Sequence, residues 1–441
     1  MPIELDPFDG DATVPSAADV AVIGGGIIGA STALFLAERG ISTVLCEKGR
    51  ISGEQSGRNW GWCRSMGRDP RELPLVLESL RLWREMNARL GEETGFRERG
   101  TLYLCPDEAW LRKREAWLPY AREYGVDSRI LRGEQINRVL EGSVGRWVGA
   151  LYTPHDGVAE PQKATVAIAR GAQRAGAKVL TNCAVRTIEK SAGRISGVVT
   201  ERGHIACHSV VLAGGAWSSL FCKNLGVRLP QLKVLASVLR TAPVPAGPSV
   251  AAWGPGLALR KRLDGGYTVS HGSVVANIVP DSFRYFADFL PVLRMERKGI
   301  TLRLGAPFWQ ELQFGRGWKA TDISPFERVR VLDPEPVAED LANAVKNLEH
   351  AFPAFKGVPV VSSWAGQIDA TPDLLPVISE VPGVLGLIIS TGYSGHGFGI
   401  GPGAGRLTAD LVDGSAPVVD PAAFRFSRFD ARPRPVPQVG L

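Results

Sequence analysis

Val20-Ala21-Val22-Ile23-Gly24-Gly25-Gly26-Ile27-Ile28-Gly29 is the stretch on which the fold turns. Its four leading apolar residues read as a short strand buried on both faces. Gly24, Gly26 and Gly29 follow in the spacing G-x-G-x-x-G, and residues 28–38 continue with helical apolar spacing until Gly40 ends the helix. Each glycine answers a separate need. Gly24 makes a tight turn. Gly26 lets a pyrophosphate approach the backbone, and Gly29 lets the helix pack closely on the strand. The helix start, at Ile27 and Ile28, adds unpaired N–H groups and the positive end of the dipole. A second apolar strand over 43–47 completes a β-α-β unit. Glu47, followed by Lys48, closes it where a carboxylate receives ribose hydroxyls. A Rossmann-like, dinucleotide-binding α/β domain is the expectation. The motif alone does not choose between NAD and FAD.

A second glycine run lies near the other end, Ser390-Thr391-Gly392-Tyr393-Ser394-Gly395-His396-Gly397-Phe398-Gly399-Ile400-Gly401-Pro402. It reads as a loop between a strand over 386–390 and a helix over 407–412. Glycines there would press backbone N–H groups against a ring edge, and the following helix would point its N-terminus at it. A long cofactor contacted from both ends of the chain favours FAD.

The 441 residues suggest two domains. The net charge of +6 is scattered, without the basic runs of nucleic-acid binders, so no nucleic-acid partner is expected. The six cysteines form no CxxC pair and no metal-ligand spacing, so buried free thiols and no metal are expected. Residues 1–17 lack a basic-plus-apolar leader and read as a loose polar arm, which points to the cytoplasm. Asp69 reads as the cap of a helix starting at Pro70, with Glu72 closing a capping box. The last residues, rich in Pro and Arg, read as a surface tail.

Four stretches, 20–47, 213–217, 260–269 and 364–406, give the chain a resemblance. It resembles the D-amino-acid oxidase-like superfamily of FAD-dependent oxidoreductases, the group of glycine oxidase, sarcosine oxidase and D-amino-acid dehydrogenase. The resemblance implies a discontinuous FAD-binding domain over 1–85, 150–230 and 340–441. A substrate-binding α+β domain on a mostly antiparallel sheet would take 86–149 and 231–339. It implies that Thr371-Pro372-Asp373 and Gly392, Ser394, Gly395, His396, Gly397, Phe398 and Gly399 close over the isoalloxazine. It also implies that Gln55, Ser56, Arg58, Asn59, Trp60 and Gly61 run along the pyrophosphate and ring. Val185 would meet adenine through its backbone, with Ala213, Gly214 and Trp217 nearby. Some sarcosine oxidase-like relatives tether the flavin to a Cys where this chain has Gly366, so FAD is expected to be non-covalent.

The implied reaction is oxidation of an amino acid or secondary amine, with hydride passing from the carbon next to nitrogen to flavin N5. The imine would then be hydrolysed to a keto acid, or to an aldehyde plus amine. An amino-acid substrate needs a cation for its carboxylate, and Arg260 is the first choice, with Arg58 and Arg64 competing. His396, Tyr393 and Tyr267 are candidates for the pocket. Two alternatives stand: a hydroxy-acid dehydrogenase, which needs a general base such as His271 or His396, and a flavin-binding subunit of a larger amine or opine dehydrogenase complex. The electron acceptor is O₂ or a quinone-type carrier, with dehydrogenase favoured over oxidase. The apolar, proline-broken stretch 274–293 reads chiefly as core of the substrate domain. It would also suit a second subunit, or a membrane surface on the inner face.

Overall fold

The computed structural model describes residues 3–296, 299–431 and 434–438. Strand β1 (Val20–Ile23), helix α1 (Ile27–Glu38) and strand β2 (Thr43–Cys46) form the expected unit. β1 is central in a six-stranded sheet, parallel to β2 on one side and to Ser209–Leu212 on the other. Lys178–Leu180 extends this sheet beyond β2; Leu387–Thr391 and then the antiparallel Val377–Glu380 extend it beyond Ser209–Leu212. Its strands are apolar on both faces because helices cover one side and a three-stranded antiparallel sheet with a second apolar cluster covers the other.

The second layer is a ten-stranded, mostly antiparallel sheet. Its longest pairing joins Leu232–Thr241 to Val360–Ala370. Residues 360–370, expected with the FAD-binding segments, thus pair within this sheet. Likewise Gly149–Thr153 pairs with Thr101–Cys105 in the second sheet. The reason is the same in both cases: an apolar strand carries no mark of which sheet will pair with it.

Three other expectations shift. The 69–72 segment is a turn, and the helix is Leu73–Leu90, with Glu72 at its N-cap and no side-chain cap. Asp69 is held by Arg71 instead, at 2.8 and 2.7 Å. The described part of the N-terminal arm is docked: Ile3 is buried, and Asp6 and Asp11 donate backbone N–H bonds to Gln162 and Val179. The tail buries Phe424, Phe426 and Phe429, and Arg428 binds Asp373; residues 432–433 and 439–441 lie outside the described residues. The 274–293 stretch forms Val274–Asn277 and two short helices, with Ile300–Arg303 and the helix Ala306–Phe314 after it. It contributes Tyr285, Phe289 and Val292 to a small core.

Candidate active site

Strand β1 enters Gly24 at φ +111°, a conformation side chains resist, and a Cβ there would lie 2.4 Å from the Ala213 carbonyl oxygen. A Cβ on Gly29 would sit 1.9 Å from the Gly24 oxygen, so nothing but glycine allows this helix-on-turn contact. At Gly26 the only atom a Cβ would meet is Ser56 Oγ, at 3.0 Å; its other side is open. α1 starts there without a side-chain cap, and Ser56 Oγ accepts the Ile27 N–H at 2.9 Å. Glu47 ties the turn to β2 by accepting N–H bonds from Gly25 (2.6 Å) and Gly49 (2.7 Å). Burial pushes its carboxyl pKa up, while Lys48 and those two bonds pull it down.

These groups open on a cleft that reaches the second glycine run. Gly24, Gly26, Ile27, Ile28, Glu47, Lys48, Val185, Ala213, Gly214 and Trp217 line it. Gln55, Ser56, Asn59, Tyr393, Gly395, Gly397 and Phe398 are also among its lining. Trp217 is fixed by its indole N–H, 3.0 Å from both Glu54 carboxylate oxygens, with Lys48 Nζ 4.6 Å from its ring centre. Gln55 Oε1 is buried with no partner among the described residues. An uncapped helix end, a glycine open on one side and an orphaned acceptor suit a pyrophosphate-linked cofactor with hydrogen-bond donors.

Several expected residues serve the frame instead. Arg260 is 1% exposed; its Nη atoms donate to both oxygens of Glu160 (2.8 and 3.0 Å) and its Nε to the Trp60 carbonyl oxygen (2.5 Å). It stands behind Gly61, whose Cβ would be 2.8 Å from its Nε, so its charge is neutralised and does not face the cleft. Tyr267 is fully buried, donates to the Pro248 carbonyl oxygen and packs edge-on against Phe355, which takes it out of the pocket. Arg58 donates to the Gly53 and Ala365 carbonyl oxygens and to Asp333, while its Nη2 has no hydrogen-bond partner among the described residues. Trp60 packs beside Trp62 in the wall.

The second glycine run also departs from a plain loop. The helix Gly397–Asp413 begins inside it and contains Pro402. The Gly399 carbonyl oxygen receives Ser79 Oγ–H and the Trp83 indole N–H. Gly392 donates its N–H to Asp369 at 2.7 Å, and Ser394, at φ +50°, receives the Thr371 N–H on its Oγ. His396 turns from the cleft toward Glu72, 3.4 Å away. A Cβ on Gly366 would fall 2.2 Å from Gln55 Oε1, so the missing side chain makes room for that amide.

Asp369, Gln367, Phe326 and Val331 line the cleft although the sequence reading passed over them. Asp369 is a hub: it accepts from Gly392, Thr391 Oγ1 and Gln231 Nε2, and burial raises its pKa against those bonds. A lone acid inside an apolar strand, four residues before Asp373, was the available signal. Residues 326–331 had none, since they reach the cleft only through the fold; Lys48 Nζ receives them by donating to the Val329 and Arg330 carbonyl oxygens.

Comparison with known proteins agrees with this geometry. L-amino acid deaminase from Proteus myxofaciens, solved with anthranilate, is 36% identical and superposes with a TM-score of 0.92, covering 97% of this chain and 96% of that one. The beta subunit of sarcosine oxidase from Arthrobacter sp is 27% identical over 421 residues, 93% of this chain and 91% of that sequence. Human mitochondrial sarcosine dehydrogenase is 25% identical over 427 residues, but the chain spans only 42% of that protein's length. The family model of FAD dependent oxidoreductases known as DAO matches residues 19–411. With that match spanning nearly the whole chain, and with the glycine turn, Glu47 and the cleft in place, the chain belongs to the DAO family of FAD-dependent oxidoreductases.

Proposed function

We propose that this protein oxidises an amino acid or a secondary amine, passing hydride from the carbon next to nitrogen to a non-covalently held FAD. One observation carries most weight: the cleft's two glycine-built ends sit in a fold that matches an L-amino acid deaminase along almost its full length. The absence of a side chain at Gly366 supports a flavin without a tether, because Gln55 occupies that space. No histidine is among the cleft-lining residues. His271 bonds Ser273 and His396 faces Glu72. An alcohol oxidiser needs a base at its hydroxyl, whereas an amine entering neutral needs chiefly positioning, so this lining favours the amine.

With Arg260 paired to Glu160 and Arg58 held by its Nε and Nη1 bonds in the frame, Arg64 takes the carboxylate role. It has no carboxylate partner among the described residues; its Nη1 donates to the Met66 carbonyl oxygen and its guanidinium lies 5.2 Å from the Tyr103 ring centre. Its backbone N is 3.6 Å from where a Cβ on Gly399 would stand, which puts it beside the second glycine run.

The electron acceptor is a membrane carrier in this reading. Phe283 (70% exposed) meets Phe308, which meets Trp309 (65%), in an outward aromatic cluster, and Phe286, Leu302, Leu304, Arg294 and Arg303 of the same region are exposed as well. Such a region suits contact with an anionic lipid surface. No helix of the described residues is long and apolar enough to cross a membrane. The test is anaerobic mixing of the yellow protein with L-amino, D-amino, N-methyl amino and hydroxy acids. Bleaching by an amino acid and not by its hydroxy analogue is the expected result. Bleaching by hydroxy acids alone would overturn the reading.

A further inference from the structure

Behind the second glycine run lies a group of ionisable side chains that the reaction as described does not use. Glu72 is 0% exposed, and neither of its carboxylate oxygens has a hydrogen-bond partner among the described residues. A buried carboxylate without donors is costly in its charged form. His396 Nδ1, also without a hydrogen-bond partner among the described residues, stands 3.4 Å from Glu72 Oε2. The two come from different elements. Glu72 caps the helix Leu73–Leu90 and His396 caps the helix Gly397–Asp413, and these helices pack side by side. Gly395 and Gly397, the neighbours of His396, line the cleft.

We propose that Glu72 and His396 form a proton-holding pair that takes one proton from solvent when the flavin is reduced. The inference rests on the flavin reading given above. Its physical basis is that the cleft-lining Gly395 and Gly397 flank His396, which stands 3.4 Å from Glu72, so negative charge added in the cleft repels a carboxylate there. Two electrons and one proton convert oxidised flavin to its singly protonated, anionic reduced form. The electrons arrive with the substrate hydride. The added negative charge then disfavours a second carboxylate nearby, and a further proton converts Glu72 to the neutral acid. His396 supplies the route, since its side chain is 11% exposed while that of Glu72 is 1%.

The surroundings keep this pair near its balance point. Arg68 and Arg64 face both groups; Asp69, Arg71 and Tyr393 complete the charged or titratable neighbours. Burial pushes the Glu72 carboxyl up to about 7, against the pull of Arg68. Burial, with Arg68 and Arg64 beside it, holds His396 well below the usual histidine range. Near neutral pH, the carboxyl is therefore the group that changes state.

The test is the midpoint potential of the bound flavin against pH, in wild type and in Glu72→Gln. One more proton per two electrons steepens the dependence by about 30 mV per pH unit. Wild type should show that extra slope around neutral pH and E72Q should lack it. The reduced-minus-oxidised infrared spectrum of wild type should gain the carbonyl band of a protonated carboxyl, absent from E72Q. Equal slopes in the two proteins would overturn the proposal. If E72Q does not fold, a wild-type infrared spectrum without that band would overturn it alone. The visible absorption of the same sample reports flavin binding separately, so failure of the cofactor reading is recognised on its own.

Discussion

The two glycine runs look alike in sequence and do different work. At residues 24–29 the glycines answer to the turn and to a ligand: Gly24 has positive φ, and Gly26 leaves one side open to the cleft. At residues 397–405 most of them answer to helix packing. A Cβ on Gly401 would lie 2.8 Å from the Ile27 side chain, on Gly403 2.8 Å from the Leu75 carbonyl oxygen, and on Gly405 2.3 Å from Ser31 Cβ. The helix Gly397–Asp413 can thus lie directly on α1 and on Leu73–Leu90. Only its first turn, with Gly395 before it, faces the cleft. A glycine run identifies close approach; the approaching partner is a separate question.

The same distinction separates two arginines, and it sets the largest expected effects. Arg260 is a frame residue. Arg260→Met leaves Glu160 buried without its partner, and breaking such a pair costs about 3–5 kcal/mol. Thermal unfolding should show that loss. Arg64→Met should leave the melting temperature near wild type and raise KM for the amino acid by roughly 30-fold or more, from about 2–5 kcal/mol at about 1.4 kcal/mol per factor of ten. The reverse pattern would exchange the two roles.

Next comes pH. The folded Glu72 carboxyl at about 7 lies above its ordinary 4.5, so the folded state holds this proton longer than the unfolded chain does. Its contribution is fully present below pH 4.5 and is lost as pH rises through 7. That amounts to about 3 kcal/mol, at about 1.4 kcal/mol per pH unit. Glu72→Gln should therefore gain stability over wild type at pH 8 and lose the advantage at pH 4. Denaturant unfolding at the two pH values checks it.

The smallest effect belongs to packing where the helix Gly397–Asp413 meets α1. Gly405→Ala forces a methyl against Ser31 and should cost about 1–3 kcal/mol, as overpacking does. Its flavin content should be unchanged, which a spectrum of the purified variant would show.

How much of this was legible in the sequence follows from the range of the interactions. The β1-α1-β2 unit was readable because its demands are local: an apolar strand, three glycines and an acid within one stretch. Gly26, Glu47, Val185, Gly214 and Phe398 line the cleft. Arg260 was misread because its partner, Glu160, is 100 residues away. The helix Gly397–Asp413 was misread because glycine and Pro402 look like breakers, although packing against α1 overrides that propensity. The start at Leu73 was missed because Asp69 prefers Arg71 to a free helix end. Asp369 was passed over because a buried acid in a strand is recognised only by the donors around it.

Gly24 and Gly29 are demanded by the fold, whereas the bare backbone at Gly26 serves the cofactor. The flavin content of Gly26→Val tests this contrast most directly. A Cβ at Gly26 meets nothing but Ser56 Oγ, so the variant should fold, with a circular dichroism spectrum matching wild type. It should nevertheless purify colourless, because its branched side chain stands where the pyrophosphate lies. A folded Gly26→Val protein carrying one FAD per chain would contradict the account.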